Sequence, residues 1–427
     1  MCLVATMSGS IAEARRRFAS KVRAKRERLI ALSAALVSAG SENPPGDTSR
    51  VVELIAEALQ AVPGVSLSRV TARAPIVNLV ARLAFASPGR RLVFSGHLDT
   101  FPVGDPSRWS VEPLGGVVAD GKIYGRGISD MKAGLAAAVL AATLLAEERE
   151  HLAGELVLAL AGDEETGGVW GTRHLLAQVP EVTGDAMMCG DAGSPRVVRF
   201  GEKGQLWLEL SARGIANHGA HVHLGVNAIE RLMAALTRLT RLRELPCPIP
   251  APVRRAILAA KPVSEAVSGA GEAETLQHVT LNIGTIEGGL AVNVIPDAAK
   301  ARVDIRLPPG LSTAAVMAAV GSALDGLEGI ECRVLSTSEP NVTDPDHEIA
   351  LLAARNGEEV LGDAVVRNMR VGFSDARLFR ERGVPAIVYG PAPHNMGGAD
   401  EYATIEDIFA VFYVHALTAF DYLAKPR

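Results

Sequence analysis

The sequence predicts an α/β protein: a mixed, mostly parallel sheet covered by helices, with a small α+β domain of ferredoxin-like βαββαβ order inserted into it. Three observations carry that expectation. At 427 residues, the chain is well past the size at which one hydrophobic core keeps growing. Short, continuously apolar strands alternate with helical patterns in the first two hundred residues and again near the end, as in sheets buried on both faces. Between these stretches lie half-exposed strands with period-two alternation.

Residues 51–62 (VVELIAEALQAV) have helical spacing, and residues 76–84 are β-rich. RLVFSG (91–96) reads as a buried strand, and an alanine-rich helix is expected over 129–148. ELVLALAG (155–162), a helix near 171–178 and DAMMCG (185–190) continue the alternation. The half-exposed strand QLWLELSAR (205–213) opens the inserted part. A helix (227–242), strands over 280–289 and 291–306, a helix (313–327) and a strand (330–337) complete the split βαβ order. Residues 246–274, rich in Pro, Ala and Gly, interrupt it as a loop or extra helix. A helix at 348–361, the strand AIVYG (386–390) and a last helix from 405 return to the first texture. The expected domains are therefore 1–202 plus 339–427, with 203–338 inserted.

Composition narrows the function. With 48% hydrophobic and 21% charged residues, the chain is globular rather than disordered. A net charge of −5 gives no pull toward nucleic acid or an anionic membrane. Aromatic residues make up only 4%, which argues against a binder that stacks bases or sugars. The longest apolar stretch, 133–146, has 14 residues, short of the roughly 18 needed to span a bilayer. Cys2, Cys189, Cys247 and Cys332 have no paired spacing, as expected in a reducing compartment, and the protein is expected to be cytoplasmic. In the first 28 residues the basic run follows a weakly apolar stretch, the reverse of a secretory leader. It reads as the solvated face of a first helix, and translation is equally consistent with a start at Met1 or Met7.

Four strand candidates end in groups able to bind a metal. RLVFSG runs into His97-Leu98-Asp99, ELVLALAG into Asp163-Glu164-Glu165, DAMMCG into Asp191, and AIVYG toward His394. Asp130 opens the alanine-rich helix behind a glycine-rich turn. Ligands of open α/β sheets bind beyond the carboxyl ends of the strands, so these groups can converge. Singly, each has an ordinary reading: Asp130 as an N-cap, Glu164-Glu165 as a solvated pair, His97 as a buried histidine, Asp191 as a turn former. Together, histidine plus carboxylates suit zinc, with manganese or cobalt as alternatives.

SGHLDTFP (95–102), GRGISDMKAG (125–134) and GDEETGG (162–168) together resemble the metallohydrolase family of acetylornithine deacetylase, succinyl-diaminopimelate desuccinylase, aminoacylase and carboxypeptidase G. The resemblance runs in order over most of the chain. It implies one or two divalent metal ions, with His97 as ligand and Asp99 holding its imidazole from behind. Asp130 would bridge two ions, followed by a cis peptide bond, and Glu165 and Asp191 would be terminal ligands. It makes Glu164 the general base that takes a proton from the attacking water and returns it to the leaving nitrogen. In the inserted domain, GIANHGAHVHLGVNAI (214–229) resembles the segment whose first histidine, His218, reaches the partner subunit's active site to polarise the scissile carbonyl. His221 and His223 read as surface or interface residues rather than an extra metal site. Asn293 and Arg306 match positions that bind a substrate carboxylate, for which the planar guanidinium is suited; a strand-end salt bridge is the other reading of Arg306. The loop from Gly372 to Asp375 resembles one lining the family's pocket, and Gly372 is assigned to substrate there.

One departure stands out. The family usually places a histidine four residues before the glutamate of its last motif, whereas this chain has Gly397 four before Glu401 and His394 seven before it. Either a three-residue longer loop brings His394 to the second metal or that site is incomplete. The resulting expectation is a homodimeric, metal-dependent C–N hydrolase acting on a small carboxylate-bearing substrate, an N-acyl amino acid or a peptide-like amide. The alternatives are displacement of an amino group from a small aromatic acid, and a non-catalytic metal or ligand binder.

Overall fold

A computed structural model describes residues 9–425; Met1, Met7 and Cys2 lie outside that range. The described residues divide into two compact units, one of residues 9–200, 343–368 and 374–425, the other of residues 201–342 and 369–373. The short return of 369–373 to the second unit was not legible in the sequence.

In the first unit the strands run in the order Val65–Arg73, Ile76–Ala84, Ala153–Ala161, Ser87–His97, Ala186–Cys189, Ala386–Val388. The last four are mutually parallel, and the first two pair antiparallel at one side. Alanine and leucine, strong helix formers, make Ala133–Leu145 a helix in which twelve of thirteen residues are buried. It packs with the final helix Ile405–Leu423 in one core with Phe94, Leu156 and Leu158 of the sheet. A second core on the sheet's other face joins Val93, Val157 and Met187 to Leu175 of helix Thr172–Gln178 and to Phe379. The segment Ile128–His151, helical over Ala133–Leu145, has the length and apolarity to cross a membrane, but 89% of its most apolar window is buried inside the protein.

The basic run near the N-terminus forms helix Gly9–Arg23 and is more than a solvated face. Arg15 pairs with Asp421 at 2.7 Å and with Glu359 at 2.8 Å, and Lys21 with Glu148 at 2.8 Å, so this helix is tied to the C-terminal helices and to the end of the core helix.

The second unit holds a four-stranded antiparallel sheet in the order Thr280–Gly288, Ala298–Leu307, Gly204–Arg213, Ile330–Ser338, the ferredoxin-like arrangement. Buried and exposed residues alternate along Ala298–Leu307, and the buried set packs on helices Ala228–Thr240 and Thr313–Leu324 through Leu232, Leu236, Val316 and Val320. Of the two readings of 246–274, the extra helix holds: the stretch is mostly helical, as Ala251–Ser268 and Glu272–Gln277. One expectation needs revision. The single strand expected over 291–306 is broken at Pro296, which has no N–H to give a ladder. Its first part, Val294–Ile295, pairs instead with Asn217–His218.

Candidate metal centre and active site

The parallel strands bring their carboxyl ends to one edge: His97 lies opposite Ala161, and Ser95 opposite Cys189. Asp191 follows Cys189 after Gly190. Asp130 lies in the irregular turn Ile128–Lys132, where its own φ and ψ are non-helical. The helix after it is capped by no side chain, so the N-cap reading of Asp130 does not hold. The Asp130–Met131 peptide is cis. Gly134 and Gly190 let the helix start approach the Asp191 strand. A Cβ on Gly134 would lie 2.3 Å from the Gly190 carbonyl oxygen, and one on Gly190 would lie 2.6 Å from the Gly134 Cα. No other residue fits that contact.

His97, Asp130 and Asp191 each place one ligand atom within 4.8 Å of the other two. His97 Nε2 stands 2.9 Å from Asp130 Oδ1. His97 is buried, which alone would lower its pKa, but the Asp130 carboxylate beside it raises it well above the ordinary histidine value. Its other nitrogen, Nδ1, faces the backbone carbonyl of Asp99 at 2.9 Å, while the nearest Asp99 carboxylate oxygen is 3.8 Å away. The imidazole is thus oriented by the main chain of Asp99.

The Asp99 carboxylate has a different task. It accepts hydrogen bonds from the backbone N–H groups of Glu164 and Glu165, each at 3.2 Å, and from Asn43 Nδ2 at 2.8 Å. The loop it grips folds around Asp163, whose φ of 81° is in the left-handed region that aspartate tolerates better than most residues. Asp163 accepts from Trp170 N–H through its side chain, at 2.9 Å, and from Gly168 N–H through its carbonyl, at 2.6 Å. A single tight turn, Glu164–Thr166, then sends adjacent glutamates in different directions. Burial pushes Glu164 well above the usual carboxylate range, and Asp375 adds to it. Burial pushes Glu165 up to about 8, against the pull of His97. Glu165 Oε1 is buried with no hydrogen-bond partner. An unsatisfied buried carboxylate oxygen is costly, and a cation held with His97, Asp130 and Asp191 would satisfy it. The three converging residues, one imidazole and two carboxylates, fit a divalent metal ion.

His394 is not part of this cluster. Its ring stacks on Tyr402 at 4.4 Å and 3°, held by the bridge between the two backbones, so the longer loop lays it on an aromatic face. Gly372 belongs to the second unit, whereas Asp375, three residues on, belongs to the first. Asp375 is the member of that motif at the centre: it is buried, its carboxyl is raised by burial, and it acts electrostatically on Glu164. The sequence places Asp375 in the Gly372–Asp375 motif, where only Gly372 is assigned a role. Asn43, in SENPPG, carried no such signal. Glu401, read from its motif alone, forms a buried pair with Arg126 at 2.6 Å and accepts from Ser129 Oγ at 2.8 Å. It thereby holds the glycine-rich turn that leads to Asp130.

In the second unit, the pairing of His218 with Val294 brings His218 beside Asn293, and Gly219 N–H donates to the Asn293 carbonyl at 2.7 Å. Both residues are exposed. Arg306 forms a two-pronged ion pair with Asp304, at 2.8 and 3.1 Å, and lies over the Phe373 ring at 4.8 Å.

A fold with this strand-end donor set defines a class of metal-dependent hydrolases, and comparison places the chain within it. Residues 93–421 match the model of Peptidase family M20/M25/M40, and the chain belongs to that family. It is 32% identical over 357 residues to a succinyl-diaminopimelate desuccinylase of Gluconacetobacter diazotrophicus, covering 81% of this chain and 83% of the relative. It is 30% identical to the corresponding protein of Rhodospirillum centenum, with 79% and 82% covered. In fold it is similar to an M20 family metallo-carboxypeptidase from Sulfolobus solfataricus (TM-score 0.74, 18% identity, 92% and 99% covered). It is likewise similar to human carnosine dipeptidase 1 (TM-score 0.74, 17% identity, 96% and 98% covered). The protein is therefore a metal-dependent hydrolase of amide C–N bonds. The amino-displacing alternative drawn from the sequence finds no support in this family.

Proposed function

We propose that the protein removes the acyl group from an N-acylated amino acid or cleaves a small peptide-like amide, using a water activated at the His97–Asp130–Asp191 cluster. The observation that carries this reading is the single turn that places Glu164 beside Glu165, whose buried oxygen lacks a partner. His97, Asp130, Asp191 and Glu165 would hold the ion; zinc, manganese and cobalt all suit the set. The bound metal supplies Lewis-acid polarisation of the scissile carbonyl and a lowered pKa for water. Glu164 is the base: its carboxyl takes the proton from the attacking water and passes it to the leaving nitrogen. Asp99 keeps both glutamates in place through their N–H groups. His218 donates to the developing oxyanion, and Asn293 and Arg306 bind the substrate carboxylate.

We read the working form as a homodimer made through the second unit. His218 and Asn293 lie near the Ala298 end of strand Ala298–Leu307, and Arg306 lies near its other end. Eight residues at about 3.4 Å each is roughly 27 Å, further than a small amino-acid derivative spans. A two-fold related copy would bring opposite ends to one site. A cytoplasmic location agrees with the free state of Cys189, Cys247 and Cys332.

The test is a screen of metal-loaded protein against N-succinyl, N-acetyl and longer N-acyl amino acids and dipeptides. Release of a carboxylic acid and a free amine is expected. Ammonia as the released product, or no turnover of any amide, would overturn the reading.

A further inference from the structure

The loop that carries Glu164 and Glu165 is fastened at its near end by Asp99, as described above. At its far end stands Thr172, the first residue of helix Thr172–Gln178, whose Oγ donates to Asp375 Oδ2 at 2.5 Å. Asp375 also lies directly under the loop: a Cβ on Gly168, where φ is +70°, would sit 3.4 Å from Asp375 Oδ1. Both carboxylates are buried, Asp99 at 0% and Asp375 at 4% exposure, and a hydrogen bond to such a water-excluded group is stronger than one in water. The two residues reach the loop from separate segments, one behind the His97 strand and one 203 residues beyond Thr172.

We propose that Asp375 is a positioning residue for the reaction: through Thr172 and Gly168 it closes the far end of the 163–171 loop and so holds Glu164 at the angle at which it takes and returns the proton. Asp375 itself touches neither substrate nor metal. Its effect on turnover rests on Glu164 being the base, whereas its hold on the loop stands apart from that reading.

The experiment compares Thr172→Val, which keeps shape and deletes the donor, with Thr172→Ser, which restores it. Hydrogen exchange of the peptide spanning 163–171 and steady-state kinetics are measured on the metal-loaded, full-length protein. In Thr172→Val, exchange in this peptide is expected to quicken about tenfold or more while sheet peptides are unchanged. kcat is expected to fall about tenfold, with KM within about twofold, the size of one lost charge-assisted hydrogen bond. Thr172→Ser should return both readouts to near wild type. Unchanged exchange in Thr172→Val, faster exchange with unchanged kcat, or a serine variant as impaired as the valine would overturn the proposal. Should Thr172→Val fail to fold, Gly168→Ala carries the test, since a side chain at a φ of +70° strains the loop directly over Asp375; wild-type exchange and kcat there would overturn it equally. If the wild-type protein turns over no amide, it is the amidase reading that fails, and the exchange measurements alone decide whether Asp375 closes the loop.

Discussion

The two units carry their chemistry in opposite ways. In the first, the candidate ligands stand at the ends of buried parallel strands, and three of them already lie within 4.8 Å of one another. Their neighbours are fastened by buried groups: Asp99 on the glutamate loop, Glu401 on the turn before Asp130. In the second unit, His218 and Asn293 stand exposed on a two-residue ladder, and Arg306 is engaged with Asp304 at the far end of the sheet. A site that must hold a cation needs its donors preorganised before the cation arrives, because moving charged groups inside a dry core is costly. Groups that meet a substrate do not carry that burden, and exposure lets them arrive late. On the proposed reading, the first unit is a preorganised site, and the second carries contacts that the dimer completes.

That contrast can be tested from its strongest point downward. Glu164→Gln, the base changed with its shape kept, should lower kcat about 10²–10⁴-fold with metal content unchanged by elemental analysis. Loss of the metal instead would make Glu164 a ligand. His218→Ala should lose about 10²–10³-fold in kcat. Unfolding and refolding that variant together with Glu164→Gln should restore about a quarter of wild-type activity, because half the dimers are mixed and one of their two sites is whole. No recovery would place His218 and Glu164 in the same chain's site, and the two units would no longer contrast.

The rigidity of the first unit has a pH signature. His415 on the final helix is held neutral by burial, its pKa lowered to about 4 from the ordinary histidine value of about 6.5. The unfolded chain binds the proton more readily, so this contribution is fully present above about 6.5 and is lost as pH falls toward 4. At pH 5 the loss amounts to about 2 kcal/mol. Urea unfolding of the first unit should show that loss relative to pH 7, and His415→Gln should flatten it. Arg306→Lys keeps the charge but removes the planar fork; KM for a carboxylate substrate should rise about tenfold with kcat nearly kept. An unaltered KM would leave Arg306 as the strand salt bridge that the sequence also allowed. The smallest effect is expected from His394→Ala. With its ring on Tyr402 rather than in the cluster, metal stoichiometry should not change, and a lost equivalent would return it to the ligand set.

Much of this was legible before any coordinates. The strand-end residues His97, Glu164, Glu165 and Asp191 could be read because a parallel strand is a short apolar run whose end is marked by the first polar residues after it. The inserted domain could be read because a half-exposed sheet writes its period of two into the chain. Other features were not legible. Asp375 is 211 residues from Glu164 by number, and nothing local marks it as the carboxyl that closes the loop. Asp99 looked like the carboxylate behind an imidazole, whereas its backbone does that and its side chain grips two amides.

By itself, then, the sequence determined which segments become strands and helices and which side chains can bind a cation or move a proton, since periodicity and residue chemistry are local properties of the chain. Only the tertiary structure decided which of those side chains meet. It left His394 on an aromatic ring, put Asp375 under the glutamate loop, and set His218 and Arg306 near opposite ends of strand Ala298–Leu307. Those outcomes depend on sheet register, glycine contacts and loop closure between distant residues, where a displacement of a few ångströms moves a group from ligand to bystander.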